Sequence, residues 1–506
     1  MECIIAIDIG TSSIKIGAID LKGNLITTFK TSYPTHSSLP NHFEQNPQNW
    51  WDIVKAGIKS ILKYLYNLNS GKYNILALAC CGHSPTLVFI DKKGDALRPA
   101  IIWQDNRASK EVKYIKRKLN NNFCESIMIS TLTSGSRIAK LLWLRNNEPD
   151  TMKKIYKLLE PKDYINFKLS GEYNTSLLSA RGFLDVKNGM FYSKFLNLLD
   201  ISESIIPKAV PSHSIIGETT KSLASEIGLP KGIPIIAGEM DSITSIIGTG
   251  VCKKNVYYNV SGTSEIVGIL IDQEINLSQK KKLPYFSYPF YNKLRLLFGA
   301  TQTSGKSINW FIKNFLGIIK NPSDIEFKNN INEFTKKNPL IFLPYMEGER
   351  SPVWNSSARG VFFGLSHEHT KYDLYRAVLE GIGFSILHNF ETLKTFYFQN
   401  EKTNKTIWVS GGGAKNDDFN QIKADILGKK VITTKVTESG LLGGAILATI
   451  GLRIYNISNA IENMIYPDKI FYPNIEKHHK CYKNFYHIYK DLYYLNQKLF
   501  SKLNRI

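Results

Sequence analysis

Two short segments of the chain combine a glycine with hydroxyl side chains, and each lies next to a run of aliphatic residues. They are residues 8–12 (DIGTS), which follow the apolar residues 3–7, and residues 262–264 (GTS). A glycine lets the backbone approach a ligand closely, and the turn adds N–H donors and two hydroxyls without bulk. Donors arranged in this way suit phosphate oxygens. The composition of both turns therefore predicts phosphate binding.

The two turns belong to segments that repeat each other. Residues 10–20 and 262–272 both contain Gly-Thr-Ser, then an apolar strand, then an aspartate ten residues after the glycine. In the first copy, the alternation of side chains over residues 3–33 predicts a β-meander with a turn at 20–24. Two unrelated hairpins that both need a tight turn are the alternative. We favour two related domains whose turns face each other and hold a polyphosphate.

An aspartate, Asp241, follows the short aliphatic segment 234–238 (PIIAG). A carboxylate at the carboxyl end of a strand can act as the general base for a hydroxyl nucleophile. A helix N-cap explains the same aspartate equally well, so the spacing alone leaves both interpretations open.

Three successive glycines, 411–413, lie between a predicted strand at 406–410 and a predicted helix at about 417–427. Their lack of side chains would let a planar ligand lie against the backbone, and Asn416 could read an adenine edge through its amide. The segment lacks the Gly-x-x-x-x-Gly-Lys-Ser/Thr pattern of a P-loop, so a nucleotide would be held differently. A turn without any ligand is the alternative.

Helices and strands must position these residues, and their patterns alternate along the chain. Apolar periodicity predicts helices at about 49–68, 109–119, 136–146, 219–227, 305–316, 371–396 and 417–427 and from Leu441, with strands at 75–81, 406–410 and 431–434. A chain of 506 residues is too long for one ordinary core. We therefore expect an α/β protein with domains at 1–246 and 247–506.

The composition argues against several classes of protein. Because no run of about 18 apolar residues and no basic signal segment is present, we expect a cytoplasmic protein without a membrane partner. The six cysteines show no metal-ligand spacing and are expected to be reduced and mostly buried. The formal charge of +21 comes mainly from lysines spread over the whole length. We interpret them as a solvated surface rather than a nucleic-acid site; a field that steers an anionic substrate is the other alternative.

These segments together resemble the FGGY family of carbohydrate kinases, in the actin-like ATPase superfamily. The strongest likeness lies in residues 348–352 (GERSP), 360–366 (GVFFGLS) and 373–381 (DLYRAVLEG), which resemble the family's C-terminal motif nearly residue for residue. The likeness extends from Ile5 to about Gly451. It implies two ribonuclease-H-like domains that flank a central cleft, where ATP, Mg²⁺ and a sugar or polyol meet.

The resemblance also implies roles for individual residues. Asp8 would organise Mg²⁺, directly or through water, and Asp241 would take the proton from the sugar hydroxyl that attacks the γ-phosphorus. The other implied cofactor contacts belong to the two phosphate turns and to the rest of the nucleotide site: Gly10, Thr11, Ser12, Gly262, Thr263, Ser264, Gly305, Asn309, Gly412 and Asn416.

Two segments of the first domain look like the family's sugar contacts. His83 lies in residues 82–86 (GHSPT), and Trp103 and Asp105 lie in residues 99–107 (PAIIWQDNR). They occupy positions where xylulokinases and gluconokinases of the family carry a Met-His pair and a Trp-x-Asp-x-Arg segment. Core packing is the alternative for His83 and for Trp103.

Departures from the family pattern concern the identity of the sugar. Gly82 replaces the methionine, Arg137 stands where a smaller residue is usual, and residues 238–241 (GEMD) lack the glycine-rich form common in xylulokinases. Residues 162–164 (KDY) and 169–173 (LSGEY) look like the pentulose-kinase pattern. The resemblance favours conversion of D-xylulose to D-xylulose 5-phosphate, with gluconate or another ketose or polyol as the alternative. Glycerol is disfavoured because glycerol kinases usually show Gln-Arg-Glu near His83.

Two other classes of function stay open. The presence of both Asp8 and Asp241 argues against a non-catalytic sugar or nucleotide sensor on the same fold, and the C-terminal motif argues against an ATPase without a sugar substrate. The expected partners are therefore a small sugar and ATP. Homodimers are common among the relatives, so a homodimer is an open expectation for this chain.

Overall fold

The computed structural model describes residues 1–69, 73–118, 132–186, 188–272, 285–316, 339–397 and 405–503. They separate into two compact units. The first unit contains Met1–Gly248 and Ser439–Ile465, and the second contains the rest of the described chain. The units therefore do not follow a single division of the sequence, and the domains at 1–246 and 247–506 stay a prediction.

The strands of the described residues are β1 (Glu2–Ile9), β2 (Ser13–Asp20), β3 (Leu25–Ser32), β4 (Glu44–Gln45), β5 (Asn74–Gly82), β6 (Val88–Ile90), β7 (Ala100–Ile101), β8 (Lys157–Leu159), β9 (Asn174–Ser176), β10 (Lys208–Val210), β11 (Ile215–Glu218), β12 (Pro234–Ile236), β13 (Tyr257–Ser261), β14 (Glu265–Ile271), β15 (Phe286–Pro289), β16 (Arg295–Ala300), β17 (Ile341–Leu343), β18 (Val361–Phe363), β19 (Thr406–Ser410), β20 (Lys430–Thr434) and β21 (Pro467–Phe471).

The α-helices are α1 (Pro47–Asn69), α2 (Ser109–Lys118), α3 (Arg137–Asn147), α4 (Pro149–Lys154), α5 (Pro161–Ser170), α6 (Ser193–Leu198), α7 (Lys221–Ile227), α8 (Asp241–Ile247), α9 (Gly305–Phe311), α10 (Lys371–Tyr397), α11 (Asp417–Leu427), α12 (Ser439–Gly451), α13 (Ile457–Met464), α14 (Ile475–Lys477) and α15 (Lys483–Leu503). A π-helical turn, Ile312–Leu316, continues α9, and a second one, His478–Tyr482, joins α14 to α15.

The first unit is built on a six-stranded sheet with the strand order β11-β12-β5-β1-β2-β3. β1, β5 and β12 run parallel, and β2, β3 and β11 each pair antiparallel with their neighbours. Side chains of a strand alternate between the two faces of its sheet. Ile5 and Ile7 accordingly belong to the core with Trp50 and Val54 of α1, whereas Ala6 lies on the opposite face beneath α12.

The second unit contains a seven-stranded sheet with the order β15-β16-β14-β13-β19-β20-β21. Its strands β16-β14-β13-β19-β20-β21 have the same relative directions as β3-β2-β1-β5-β12-β11 of the first sheet. The two sheets differ in where the outermost strand lies in the sequence. In the first sheet β11 precedes its neighbour β12, whereas in the second sheet β21 follows its neighbour β20. The shared topology agrees with the predicted repeat, and the mixed sheets with flanking helices confirm the predicted α/β class.

The cysteines of the described residues are reduced. Cys3, Cys80, Cys81 and Cys481 are buried, and Cys252 is half-buried; Cys124 lies outside the described residues. Within the same residues, no helix combines the length and the apolar character that a membrane crossing needs.

Candidate active site

The carboxyl ends of three parallel strands meet at one edge of the first sheet. β1 ends beside Asp8, and His83 follows β5 directly. A bridge between Gly82 and Met240 continues the pairing of β5 with the β12 segment, so Asp241 emerges at the same edge. Side chains at the carboxyl edge of an open α/β sheet are well placed to meet a ligand.

The half-buried carboxylate of Asp8 lies on the sheet face that α12 covers. Its Oδ1 is 3.4 Å from the Cys81 thiol, which donates to it. A Cβ placed on Gly440, at the start of α12, would lie only 2.7 Å from Asp8 Oδ2. The glycine therefore leaves the space that the carboxylate occupies.

Asp241 is the first residue of α8, and its Oδ1 accepts a hydrogen bond from the Ser242 backbone N–H at 2.6 Å. The N-cap position is taken by Met240, so the N-cap interpretation of Asp241 does not hold. The turn that delivers Asp241 depends on Gly238, whose φ is +69° and whose Cβ would lie 1.7 Å from the Cys80 carbonyl oxygen.

The charges of Asp8 and Asp241 both affect the pKa values of two neighbouring side chains, Cys81 and Tyr33. Burial raises the pKa of the Cys81 thiol well above its usual value, and the charges of Asp8 and Asp241 raise it further. Burial and the same two charges also raise the pKa of Tyr33. Both charges therefore act on the same two groups at this edge of the sheet.

Long-range hydrogen bonds hold the first phosphate turn. The Tyr33 hydroxyl donates to the Gly10 carbonyl, and the fully buried Gln45 donates from Nε2 to the Thr11 carbonyl at 2.8 Å. Trp103 donates from Nε1 to the Thr11 hydroxyl at 2.8 Å. Ser12, which follows Thr11 in the turn, is exposed. The sequence predicted neither the Tyr33 contact nor the Gln45 contact, because both residues are remote from the turn along the chain.

His83 is 1% exposed and packs edge-on against Trp50, with ring centroids 5.6 Å apart. Its Nδ1 is 2.8 Å from the Thr86 hydroxyl. Its Nε2 has no hydrogen-bond partner within the described residues. Burial lowers the pKa of His83 to about 3, so the ring is neutral at physiological pH. A neutral ring can donate to or accept from a hydroxyl of a bound sugar or a water.

The segment that carries Trp103 is fixed by buried charges. Asp105 is fully buried and accepts from the guanidinium of Arg107 at 2.7–2.9 Å and from the Phe43 backbone N–H at 2.7 Å. Asp105 thus organises its own loop, and direct contact with a substrate stays a prediction. Lys140 is also fully buried and donates to the carbonyls of Ile102 (2.7 Å) and Pro85 (3.0 Å).

Lys140 therefore links the segment that follows β7, through Ile102, to the segment that follows His83, through Pro85. Burial lowers its pKa to about 7. Sequence patterns do not indicate this role, because a lysine in a helix is usually exposed.

In the second unit, a buried ion pair lies beneath the turn of residues 262–264. Glu265 and Lys423 are both fully buried, with Nζ 3.7 Å from Oε2. Lys423 also donates to Asn259 (2.8 Å) and Ser261 (3.1 Å), and Glu265 accepts from Ser261 (2.7 Å), Asn259 and Ser304. This Glu265–Lys423 network joins β13, β14 and α11 to the residue that precedes α9.

One predicted nucleotide contact of the second unit, Gly305, lies against the same turn. The Gly305 backbone N–H donates to the Gly262 carbonyl at 3.1 Å. A Cβ on Gly305 would lie 2.5 Å from that oxygen. Gly411 and Gly413 approach Ser261 so closely that a Cβ on either would overlap it, whereas nothing lies within 4 Å of a Cβ on Gly412. Gly412 is exposed beside open space.

Asn416 makes a hydrogen bond within the protein, whereas the side chain of Asn309 is exposed. Asn416 caps α11, since its Oδ1 accepts from the Phe419 backbone N–H at 3.0 Å. Asn309 lies on α9 with an exposed side chain, as does Thr263 on its turn, and Ser264 is half-buried. The capping bond explains Asn416 without a ligand, so adenine recognition by this residue stays a prediction.

The GERSP segment also contacts the second turn. Arg350 donates to the Thr301 carbonyl and approaches the Ser264 hydroxyl at 3.4 Å. The buried carboxyl of Glu349 accepts from the backbone N–H groups of Gln302 and Arg350, yet burial raises its pKa to about 8.

Comparison with known proteins places both units in one family. The model of the FGGY family of carbohydrate kinases matches residues 3–248 with its N-terminal domain and residues 257–452 with its C-terminal domain. The chain belongs to the FGGY family of carbohydrate kinases. This confirms the resemblance seen in the sequence motifs and shows that the chain is a carbohydrate kinase.

Relatives of this FGGY kinase resemble it over nearly their whole length. The xylulose kinase of Staphylococcus xylosus is 33% identical over 500 residues, which cover 97% of this chain and 100% of the relative. The crystal structure of a ligand-bound xylulose kinase from Lactobacillus acidophilus has a TM-score of 0.85 and 27% identity, covering 99% and 100% of the two chains. A gluconate kinase from the same organism has a TM-score of 0.84 and 27% identity, covering 99% of each.

Proposed function

We propose that this FGGY kinase transfers the γ-phosphoryl group of ATP to a hydroxyl of D-xylulose and forms D-xylulose 5-phosphate. The observation that carries the proposal is the meeting of Asp8 and Asp241 at one sheet edge, beside the turn of residues 10–12. The xylulose kinases among the relatives support the choice of sugar.

Asp241 is the general base of the proposed reaction. Its carboxylate accepts the proton of the sugar hydroxyl as the hydroxyl oxygen bonds to the γ-phosphorus and ADP leaves. The Gly238 turn and the N-terminus of α8 fix its backbone, so the carboxylate is positioned before the sugar binds. Positioning and electrostatics supply most of the acceleration in phosphoryl transfer.

Asp8 is the residue that would hold Mg²⁺. Magnesium sites in nucleotide enzymes use one or two carboxylates, with phosphate oxygens and waters as the other ligands. The described residues contain no group of three or more His, Cys, Asp or Glu side chains that could hold a metal. The half-buried carboxylate of Asp8 beside the first turn fits the need for a single carboxylate. Bound Mg²⁺ would neutralise the charge that develops on the phosphate oxygens.

The two turns would donate hydrogen bonds to the phosphates of ATP, through Thr11 and Ser12 in the first unit and Gly262–Ser264 in the second. Gly305, Asn309, Gly412 and Asn416 are the proposed contacts for the rest of the nucleotide. The open space at Gly412 supports this assignment. We also propose that the enzyme acts in the cytoplasm, and a homodimer stays a prediction.

His83, Trp103 and Asp105 are the proposed sugar-side residues. The buried Nε2 of His83 supports a role in accepting or donating a hydrogen bond. Gluconate is the second candidate substrate, because the structure of a gluconate kinase resembles this chain almost as closely as that of a xylulose kinase.

A coupled assay of ADP release tests the proposal. The purified chain is assayed with ATP and Mg²⁺ against xylulose, ribulose, gluconate, glycerol, fuculose and erythritol. We expect the largest kcat/KM with xylulose and a slow release of ADP without any sugar. Equal ADP release with every sugar and with none would instead indicate an ATPase that has no sugar substrate.

The variant Asp241→Asn separates the base from the binding functions. We expect kcat to fall by about 10²–10⁴-fold, the usual contribution of a general base, while calorimetry still detects ATP binding. Near-normal turnover of this variant would exclude Asp241 as the base.

A further inference from the structure

A buried arginine and a buried glutamate meet beside the segment that follows β5. Arg137 and Glu160 are 6% and 4% exposed, and Arg137 Nε donates to Glu160 Oε1 at 2.7 Å. The Ser84 hydroxyl donates to the same Oε1 at 2.9 Å and accepts from Arg137 Nη2 at 2.5 Å. We call these three residues the Arg137–Glu160–Ser84 cluster.

The cluster lies on the sugar side of the proposed site. Ser84 is half-buried and directly follows His83, whose Nε2 has no partner within the described residues. Gly82, two residues earlier, bridges to Met240, the neighbour of Asp241. The cluster therefore stands next to the sheet edge from which the base reaches the sugar.

The buried charges of this region include two ion pairs, and Lys140 and Arg181 add positive charge near Glu160. Arg137 faces Glu160, and the fully buried Lys162 faces Asp163. The buried carboxyl of Glu239 accepts a hydrogen bond from the Ser176 hydroxyl at 2.8 Å, and burial raises its pKa. A sugar acid brings a carboxylate that would have to give up its hydration, and a nearby cation without a counter-ion would repay much of that cost. A neutral sugar needs hydroxyl partners alone.

We propose that Glu160 determines specificity, because it neutralises Arg137 and so makes the site select neutral sugars over sugar acids. This inference rests on the proposed function and deepens it by naming the substrate class. Arg137 is the residue that would bind a sugar carboxylate if its charge were released. The cluster thus gives a physical reason for preferring xylulose over gluconate.

The variant Glu160→Gln tests the inference, because it removes the negative charge and keeps the side-chain length. The measurement is inhibition of xylulose phosphorylation by D-gluconate and by D-glucitol, which has the same chain without the carboxylate. We expect the inhibition constant of gluconate, divided by that of glucitol, to fall at least about tenfold relative to wild type. The ratio does not depend on the fraction of enzyme that is folded, so a loss of stability does not mimic the effect.

Two further variants keep the test decisive. The double variant Arg137→Gln/Glu160→Gln removes both charges, and its ratio should return close to that of wild type. Arg137→Gln alone leaves Glu160 negative and should raise the ratio, which gives a result even if Glu160→Gln does not fold. An unchanged ratio in the active single variants overturns the inference and leaves the kinase assignment intact. Absence of turnover of any sugar by the wild-type chain overturns both.

Discussion

The buried Glu265–Lys423 network offers the most quantitative prediction. Lys423→Met keeps the length and most of the volume of the side chain but removes the ammonium group. The carboxylate of Glu265 then stays fully buried without its cation, although Ser261, Asn259 and Ser304 still donate to it. Breaking a buried ion pair on one side costs about 3–5 kcal/mol. Because these donors remain, we expect a loss of stability of about 3 kcal/mol.

A double-mutant cycle measures the pair separately from the packing. In Lys423→Met/Glu265→Gln neither charge is buried, so we expect a smaller loss of stability than in Lys423→Met alone. Hydrogen–deuterium exchange of residues 257–271 reports the stability of the second unit without interference from the first. The KM for ATP should rise in the single variant, because the turn of residues 262–264 loses its support, while the KM for xylulose should change little.

Hydrogen exchange in Lys423→Met as slow as in wild type would contradict this prediction, and so would a double variant that is less stable than the single one. Either result would mean that the carboxylate of Glu265 tolerates the loss of its partner. A parallel rise of the KM for ATP and the KM for xylulose would point to general unfolding rather than to the turn.

Three other predictions concern the first turn, its neighbour Asp8 and the GERSP segment. Gly440→Ala places a Cβ 2.7 Å from Asp8 Oδ2, so Asp8 must move, and kcat should fall by about 10²-fold in steady-state assays; an unchanged kcat would contradict the role of Asp8. Gln45→Met removes the donor to the Thr11 carbonyl, a loss of about 1 kcal/mol, and should raise the KM for ATP about fivefold without a similar rise for xylulose. Glu349 keeps its proton up to about pH 8 when folded but loses it near pH 4.5 when unfolded. Its contribution to stability is therefore lost as the pH rises between these values, by at most about 5 kcal/mol. Glu349→Gln should flatten this decline in denaturant titrations, and an equally steep decline in the variant would show that Glu349 is not its cause.

Local patterns in the sequence predicted most of the helices and strands, and they predicted that Asp241 follows a strand. The strand at 406–410 and the helix at 417–427 have the bounds that the apolar periodicity indicated. The duplicated Gly-Thr-Ser turn correctly indicated two sheets of related topology. The position of Asp241 after a strand was also predictable, because an aliphatic run that ends at a glycine is visible in the local sequence.

Contacts between distant parts of the chain could not be predicted in this way. Gln45 and Tyr33 hold the first turn from 34 and 23 residues away, and nothing in their neighbours marks them. Lys140 and Lys423 look like surface lysines in sequence, because only the tertiary structure buries them. The return of Ser439–Ile465 to the first unit is likewise invisible to periodicity, which reports a helix but not the sheet that it covers.

The placement of α12 has a consequence for how the protein is made. Ala6 and Ala79 lie beneath Gly444 of this helix. One face of the first sheet is therefore covered by residues that are synthesised long after its strands. While the ribosome is still translating the second unit, the nascent first unit exposes this apolar face. We expect fragments that end before Ser439 to aggregate or to bind chaperones, and the first unit to reach its native packing only after α12 has been synthesised.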